Sequence, residues 1–386
     1  MEINQIVIKV TSKCNLNCKY CFVYNQGNEN YKFEPNFISE KIITQIFQKI
    51  ENYCVKNPKI QYFYIVFHGG EPLLTGKNFY INAVKLANEI VKSVELKLIV
   101  QTNGTLLDNS WAELFKKLNI TCGISLDGTE HANRFRIFKH NNKPAYQDII
   151  KGIKTLNDIV GYCGVLSVIN PLEPPKLVYE NLKNLNINFV DFLIPDVNYE
   201  TFEETNSLVG NWLKEMFDIW YKDKSQNRIE VRFFDTVIKL FLGDAIVGDE
   251  TVGRNTNSVI TIKTNGNMES VDSLNICNLP KNTTSYNIID NQIPDIFNDI
   301  NYMQYYNAHQ NAILCKKCNE CILKDVCGGG QLCHRYSIEN GFNNPSVYCY
   351  QMFDFFAHVQ NRLIDDLPSE ILNNAKIEKI SISDYK

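Results

Sequence analysis

The chain has no basic leader followed by an apolar run; its opening ten residues, MEINQIVIKV, contain neither. No hydrophobic stretch approaches the roughly 20 residues of a transmembrane helix. From those two absences neither a secretory signal nor a helical membrane anchor is expected, and the expectation is a cytoplasmic protein with no membrane partner. A clustered Lys/Arg stripe is also missing, and the formal net charge is −4. Nucleic acid is therefore not an expected partner. With 22 Phe and 20 Tyr, the sequence does not read as disordered over most of its length. Its 386 residues, 44% hydrophobic and 21% charged, suffice to bury a full core in one large domain or two to three unequal ones.

Cysteine, by contrast, is abundant. Thirteen cysteines in a chain without an export signal point to metal ligands or catalytic groups, because a reducing cytosol keeps thiols free. The odd number also fits poorly with complete pairing.

The first half repeats a strand-then-helix pattern. Apolar, β-branched or aromatic runs lie at 6–10, 62–67, 96–100, 122–126, 164–169 and 189–194, separated by amphipathic stretches at 39–51, 78–92, 110–118 and 146–159. Pro174-Pro175 marks a further helix start. Six such units without tight hairpin signals predict an α/β fold with a parallel sheet, open or part of a barrel. Polar or glycine-rich residues follow every strand: Cys14-x3-Cys18-x2-Cys21, then His68-Gly69-Gly70-Glu71-Pro72, Gln101-Thr102-Asn103-Gly104, Ser125-Leu126-Asp127-Gly128, Asn170-Pro171 and Pro195-Asp196. In a β/α barrel these strand ends converge on one face, where the active site is built.

Beyond about residue 206 the pattern changes. Helices are expected at 208–222 and 231–242, and a strand at 259–262 leads into an Asn265-Gly266 hairpin. The segment 315–349 is rich in Cys and Gly with little core periodicity, so it needs a metal to be ordered. A final helix is expected at 350–367. Cys54, Cys122 and Cys163 fall inside helix or strand patterns and read as core residues.

Three thiolates in the 14–21 loop supply three ligands to a four-iron cluster and leave one iron open. A closed zinc site needs a fourth ligand, and none lies in that loop. Cys-x3-Cys-x-aromatic-Cys after the first strand, Gly-Gly-Glu-Pro-Leu after the second and the later Ser-Leu-Asp-Gly together resemble the radical S-adenosylmethionine (AdoMet) superfamily. The likeness extends to its peptide-modifying branch, which includes the anaerobic sulfatase maturases, and covers about residues 3–360.

The resemblance implies a partial (β/α)6 TIM-type barrel at 1–205, a bridging helical region at 206–258, a small SPASM-type domain at 259–349 and a C-terminal helix and tail at 350–386. It also implies that Cys14, Cys18 and Cys21 hold a [4Fe–4S] cluster whose open iron binds AdoMet. Tyr20 would lie near the adenine, and Gly69, Gly70 and Glu71 would take the AdoMet amino group. Ser125 and Asp127 would face the ribose or methionine portion. Arg136, with Arg134 as the alternative, would pair with the AdoMet carboxylate.

Cys318-x2-Cys321-x5-Cys327, with Cys349 further on, resembles the SPASM set for a fully ligated auxiliary [4Fe–4S] cluster; read bare, it also suits a zinc ribbon. A second auxiliary cluster fits poorly. Gln331 and Val271 stand where that pattern wants cysteines, and Cys277, Cys315 and Cys333 remain as an unusual site or as ordinary thiols. Asp272 occupies the place of a sulfatase-maturase base, or simply follows the hairpin as a turn residue.

The block from Cys327 to Cys349 resembles the cyclophane-forming peptide maturases, which join an aromatic carbon to a Cβ in a ribosomal precursor peptide. His334 and Arg335 there bracket the cluster, hold a substrate carboxylate or order the loop. The expected partners are that peptide and an electron donor such as flavodoxin or ferredoxin. Thioether or formylglycine formation is the alternative within the superfamily, and a zinc-binding interaction protein the alternative outside it. No recognition domain is expected ahead of the first strand, so a leader peptide is expected on the barrel, the 208–242 bridge or the last helix, with β-augmentation as one route.

Overall fold

Successive strand–helix units wind in one direction around the sheet. In this computed structural model, which describes residues 1–26, 29–244, 246–277, 284–368 and 378–385, six parallel strands alternate with helices. The strands are β1 (Gln5–Thr11), β2 (Tyr62–Gly69), β3 (Glu95–Thr102), β4 (Ile120–Ser125), β5 (Gly164–Val168) and β6 (Phe189–Leu193). Between them run α1 (Glu40–Lys56), α2 (Lys77–Ile90), α3 (Asn109–Leu118), α4 (Tyr146–Val160) and α5 (Pro175–Asn184). Neighbours in sequence are neighbours in the sheet from β1 to β6. With right-handed crossovers that order puts every helix on one face and all strand C-termini at one rim, which is barrel winding.

Local chemistry fixes the elements. Ser39, expected as the first helical residue, is instead the cap of α1 and accepts from the Ile42 amide at 3.3 Å. Apolar spacing then buries Ile42, Ile43, Ile46, Phe47 and Ile50. Asp108 caps α3, and left-handed Asn119 (φ 53°) ends it, so β4 starts at Ile120, two residues before the sequence pattern suggested. Cys54, Cys122 and Cys163 are buried in the core.

After β6 come α6 (Val209–Lys222), a two-residue β7 (Glu230–Val231) that extends the sheet, and α7 (Arg232–Phe241). β8 (Val259–Ile262) adds parallel to the free side of β1, then turns at Gly266 into antiparallel β9 (Met268–Glu269). The nine-stranded sheet thus continues into the cysteine-rich part of the chain. There α8 (Ile300–Tyr306), α9 (Lys316–Glu320) and α10 (Lys324–Cys327) are short, and α11 (Cys349–Asp365) is long. The last helix is clamped to α6 and α7: Phe355 stacks on Phe233 at 5.7 Å, Asp354 pairs with Lys214, and His358 meets Asp218 at 3.0 Å. No described helix is long and apolar enough to cross a membrane.

Candidate active site

The loop carrying Cys14, Cys18 and Cys21 leaves β1 at the rim and is fastened on both flanks. On one side the 135–139 segment pairs with it, through Asn17 N to Ile137 O at 2.8 Å and Lys139 N to Asn15 O at 2.9 Å. On the other, Asn103 and Thr105 beyond β3 bind the Asn15 side chain at 2.9 and 2.8 Å. Amides also point at sulfur: Leu16 N lies 3.4 Å and Asn103 Nδ2 3.9 Å from Cys14 Sγ. Burial pushes Cys14 up to about 12 and Cys18 to about 11, so iron binding as thiolates must release those protons. Three thiols near enough to act on one another's titration, one of them facing N–H donors, suit an iron–sulfur cluster.

Gly69 and Gly70 hold this loop to β2. Gly70 N donates to Thr11 O at 3.0 Å, and Glu71 N to Lys13 O at 2.8 Å. A Cβ on Gly70 would stand 2.1 Å from both Lys13 O and Tyr24 Oη; Gly69, at φ +133°, would meet Thr11 O at 2.3 Å.

Glu71 is fully buried, and its carboxylate is engaged within the chain. It accepts from Leu73 N at 2.9 Å, Thr102 Oγ1 at 2.7 Å and Asn103 N at 2.8 Å. Burial pushes it up to about 7 against these three bonds. Its visible work is to lash the end of β2 to the end of β3.

Asp127 is the hub of the opposite wall. Its carboxylate accepts from Arg136 Nε at 2.8 Å, Arg136 Nη2 at 2.9 Å, Val168 N at 3.0 Å and the Tyr20 hydroxyl. The guanidinium also lies over the Tyr20 ring, 5.4 Å from its centroid. Arg136 and Asp127 are 7% and 4% exposed, a buried bidentate pair. Arg136 therefore has its carboxylate partner inside the chain. Arg134 bonds the His131 carbonyl at 2.8 Å and packs on Phe135, on the exterior. Ser125 Oγ accepts from Gln101 Nε2 at 3.0 Å.

Asp272 reaches the rim from the segment after β9. It ion-pairs with Lys9 of β1, whose ammonium also bonds His68 Nδ1 at 2.7 Å. Burial pushes Asp272 up, but Lys9, Lys263 and His68 outweigh it, and the carboxyl lies below its ordinary range. Burial and Lys9 pull His68 down to about 3, so its imidazole is neutral.

The second cysteine group gathers where α9, α10 and α11 begin or end. Cys318, Cys327 and Cys349 line one small cavity with Gly329, Gly330 and His334. Cys321 lies close enough to Cys327 and Cys349 to act on their titration. Cys349 is the first residue of the 17-residue α11, and burial pushes its thiol above the ordinary range. Arg335, 1% exposed, binds four carbonyls: Gly329 at 2.9 Å, Ala308 at 2.7 Å, Gly328 at 3.1 Å and Gly330 at 2.6 Å. That is a loop-ordering role. Cys277, Cys315 and Cys333 do not meet at one point. Cys315 hydrogen-bonds Cys318, whereas Cys277 and Cys333 both lie beside Asp196.

Residues 8–209, more than half of the chain, match the Radical SAM superfamily. The chain belongs to this superfamily. It is similar to the cysteine-type anaerobic sulfatase-maturating enzyme of Clostridium perfringens (strain 13 / Type A), 22% identical over 392 residues that cover 96% of this chain and 98% of that one. To the cysteine-type enzyme of Clostridium novyi it is 29% identical over 259 residues, 63% of this chain and 66% of the relative. The fold is that of native anSMEcpe with bound AdoMet, at TM-score 0.79, 22% identity and coverage of 96% and 99%. Streptococcus suis SuiB bound to its precursor peptide SuiA aligns at TM-score 0.61 and 18% identity, covering 90% of this chain and 76% of that one.

As a radical SAM enzyme the protein uses AdoMet and a [4Fe–4S] cluster. Asn15, Thr102, Asn103 and Lys9 carry the geometry of this radical SAM site without having been given a role in the sequence reading. The only signal for Thr102 and Asn103 was their place at the C-terminal end of β3. Gly70→Ala is expected to lower cluster occupancy and to destabilise the fold by about 1–3 kcal/mol, because the Cβ has only backbone to displace on one side. Iron content and thermal unfolding of the purified variant check this.

Proposed function

We propose that this radical SAM enzyme is a peptide maturase that crosslinks side chains, joining an aromatic carbon to a Cβ in a ribosomally made precursor. Cys14, Cys18 and Cys21 would hold the AdoMet-binding cluster, and Cys318, Cys321, Cys327 and Cys349 an auxiliary one. When bound, AdoMet and its cluster supply a 5′-deoxyadenosyl radical able to take a hydrogen atom from an unactivated carbon. The chain's task is to hold the peptide Cβ near that radical, exclude water and dispose of what the new bond releases.

Forming the aryl–Cβ bond releases one hydrogen atom, one proton and one electron. AdoMet would supply the group that takes up the hydrogen atom, and Cys318, Cys321, Cys327 and Cys349 would hold a cluster able to accept the electron. Asp272 would take the ring proton, and the observation that carries this assignment is its buried, ionised carboxylate at the rim, held by Lys9 next to neutral His68. A leader peptide would lie against the barrel, the bridge or the last helix, and a small electron-transfer protein such as flavodoxin or ferredoxin would reduce the first cluster.

The test is anaerobic incubation with the short peptide encoded beside the enzyme. Loss of two hydrogens, with backbone fragmentation silenced between the joined residues, supports crosslinking. An aldehyde reactive toward hydrazide would instead support formylglycine formation, the reading favoured by the end-to-end likeness to a sulfatase-maturating enzyme. Asp272→Asn is expected to lower product formation by roughly 10²-fold while 5′-deoxyadenosine still forms. Chromatography of both products from one reaction checks it.

A further inference from the structure

Asp196, Cys333 and His334 form a cluster that the radical chemistry leaves unused. Asp196 follows β6, and the other two follow the glycine loop of the cysteine-rich segment. Their ligand atoms all lie within 4.8 Å of one another. Asp196 Oδ1 stands 3.8 Å from Cys333 Sγ and 4.0 Å from His334 Nε2. His334 is 2% exposed, and its Nε2 has no hydrogen-bond partner among the described residues. The ring is oriented by the Pro195 carbonyl, the kind of outer contact that fixes a ligating imidazole. A buried imidazole nitrogen left bare toward a thiol and a carboxylate calls for a ligand.

We propose that Asp196, Cys333 and His334 bind one Zn2+ ion, with the fourth position open to water or a substrate group. Ligand atoms about 2.0–2.3 Å from a tetrahedral zinc lie roughly 3.3–3.8 Å apart, so the 3.8 and 4.0 Å spacings from Asp196 need only a small contraction around the ion. One sulfur, one imidazole and one carboxylate suit zinc better than a cube, whose protein ligands sit on separate irons. The two places where the SPASM resemblance would want cluster cysteines hold Val271 and Gln331. The Asp196 side chain is 27% exposed against 2% for His334, so the open side of the ion is the carboxylate side. The ion would pin the cysteine-rich segment to the end of β6 and place a cation near Asp272, whose charge Asp196 already feels.

The test is the iron-loaded holoenzyme exposed to Zn2+, desalted and measured for zinc and iron, with zinc-edge X-ray absorption for the ligands. We expect about one zinc per chain, bound by one sulfur and otherwise nitrogen and oxygen. Cys333→Ser and, separately, Asp196→Asn should each cut zinc at least tenfold with iron content unchanged; because Asp196 is partly exposed, that variant guards against misfolding. Cys327→Ser should lose iron and keep zinc. Zinc below about a tenth of an equivalent in the wild type, zinc retained in both variants, or a four-sulfur zinc environment would each overturn the proposal.

Discussion

Cys18→Ala is expected to abolish AdoMet cleavage and to remove about four irons per chain. Two thiols at Cys14 and Cys21 cannot retain a cube that three thiols hold with one iron open, and Asp127, the carboxylate near Cys18, is already engaged by Arg136. His68, near the end of β2, is turned to the Lys9 ammonium at 2.7 Å. The comparison that gives this result meaning is Cys327→Ala. It should lose a similar amount of iron and yet still release 5′-deoxyadenosine, because its site lies beyond the barrel in the cysteine-rich segment. Iron analysis and anaerobic deoxyadenosine assays on both variants separate the two roles. If Cys18→Ala still cleaves AdoMet, the ligand assignment at the first strand fails.

Asp127→Ala is expected to be the most destabilising single change in the barrel, by about 3–5 kcal/mol, because it strands the buried Arg136 guanidinium without a counter-charge. Four donors lose their acceptor at once: two from Arg136, the Val168 amide and the Tyr20 hydroxyl. Tyr20 lies between Cys18 and Cys21 in the chain, so the cysteine loop should loosen with it. The double variant Asp127→Leu with Arg136→Met removes both charges and should recover much of the loss. Denaturant unfolding of the iron-free proteins checks the stabilities, and iron uptake checks the loop. A single variant as stable as the wild type would show that Asp127 does not organise this wall.

These expectations show how unevenly the site was legible. Cys14, Cys18 and Cys21 were readable because cluster ligation needs a fixed local spacing on one loop. The strands were readable because a parallel sheet covered by helices demands continuous apolar runs. Glu71 and Arg136 were visible as motif residues, but their partners were not. Thr102 and Asn103 engage the Glu71 carboxylate from 31 and 32 residues away, and Asp127 holds Arg136. A motif gives a residue's place at the rim; the neighbouring strand's loop decides which way its charge is turned.

The C-terminal cysteines make the same distinction. The Cys318–Cys321–Cys327 spacing announces a metal group, and α11, clamped by Phe355 on Phe233, returns Cys349 to it. Nothing local tells Cys315 from Cys333, yet one lies beside Cys318 and the other beside Asp196, 137 positions away in the chain.

By itself the sequence determined the strand–helix alternation, the cysteine loop at the first strand end and the existence of a second thiol cluster. Each of these is encoded by periodicity or spacing within a few tens of residues. Only the tertiary structure decided that Asp272 pairs with Lys9, that Arg136 is already neutralised by Asp127, and that Asp196 meets Cys333 and His334. Those are contacts between strand ends and loops far apart in the chain, and their energies exist only after the barrel has brought the ends to one rim.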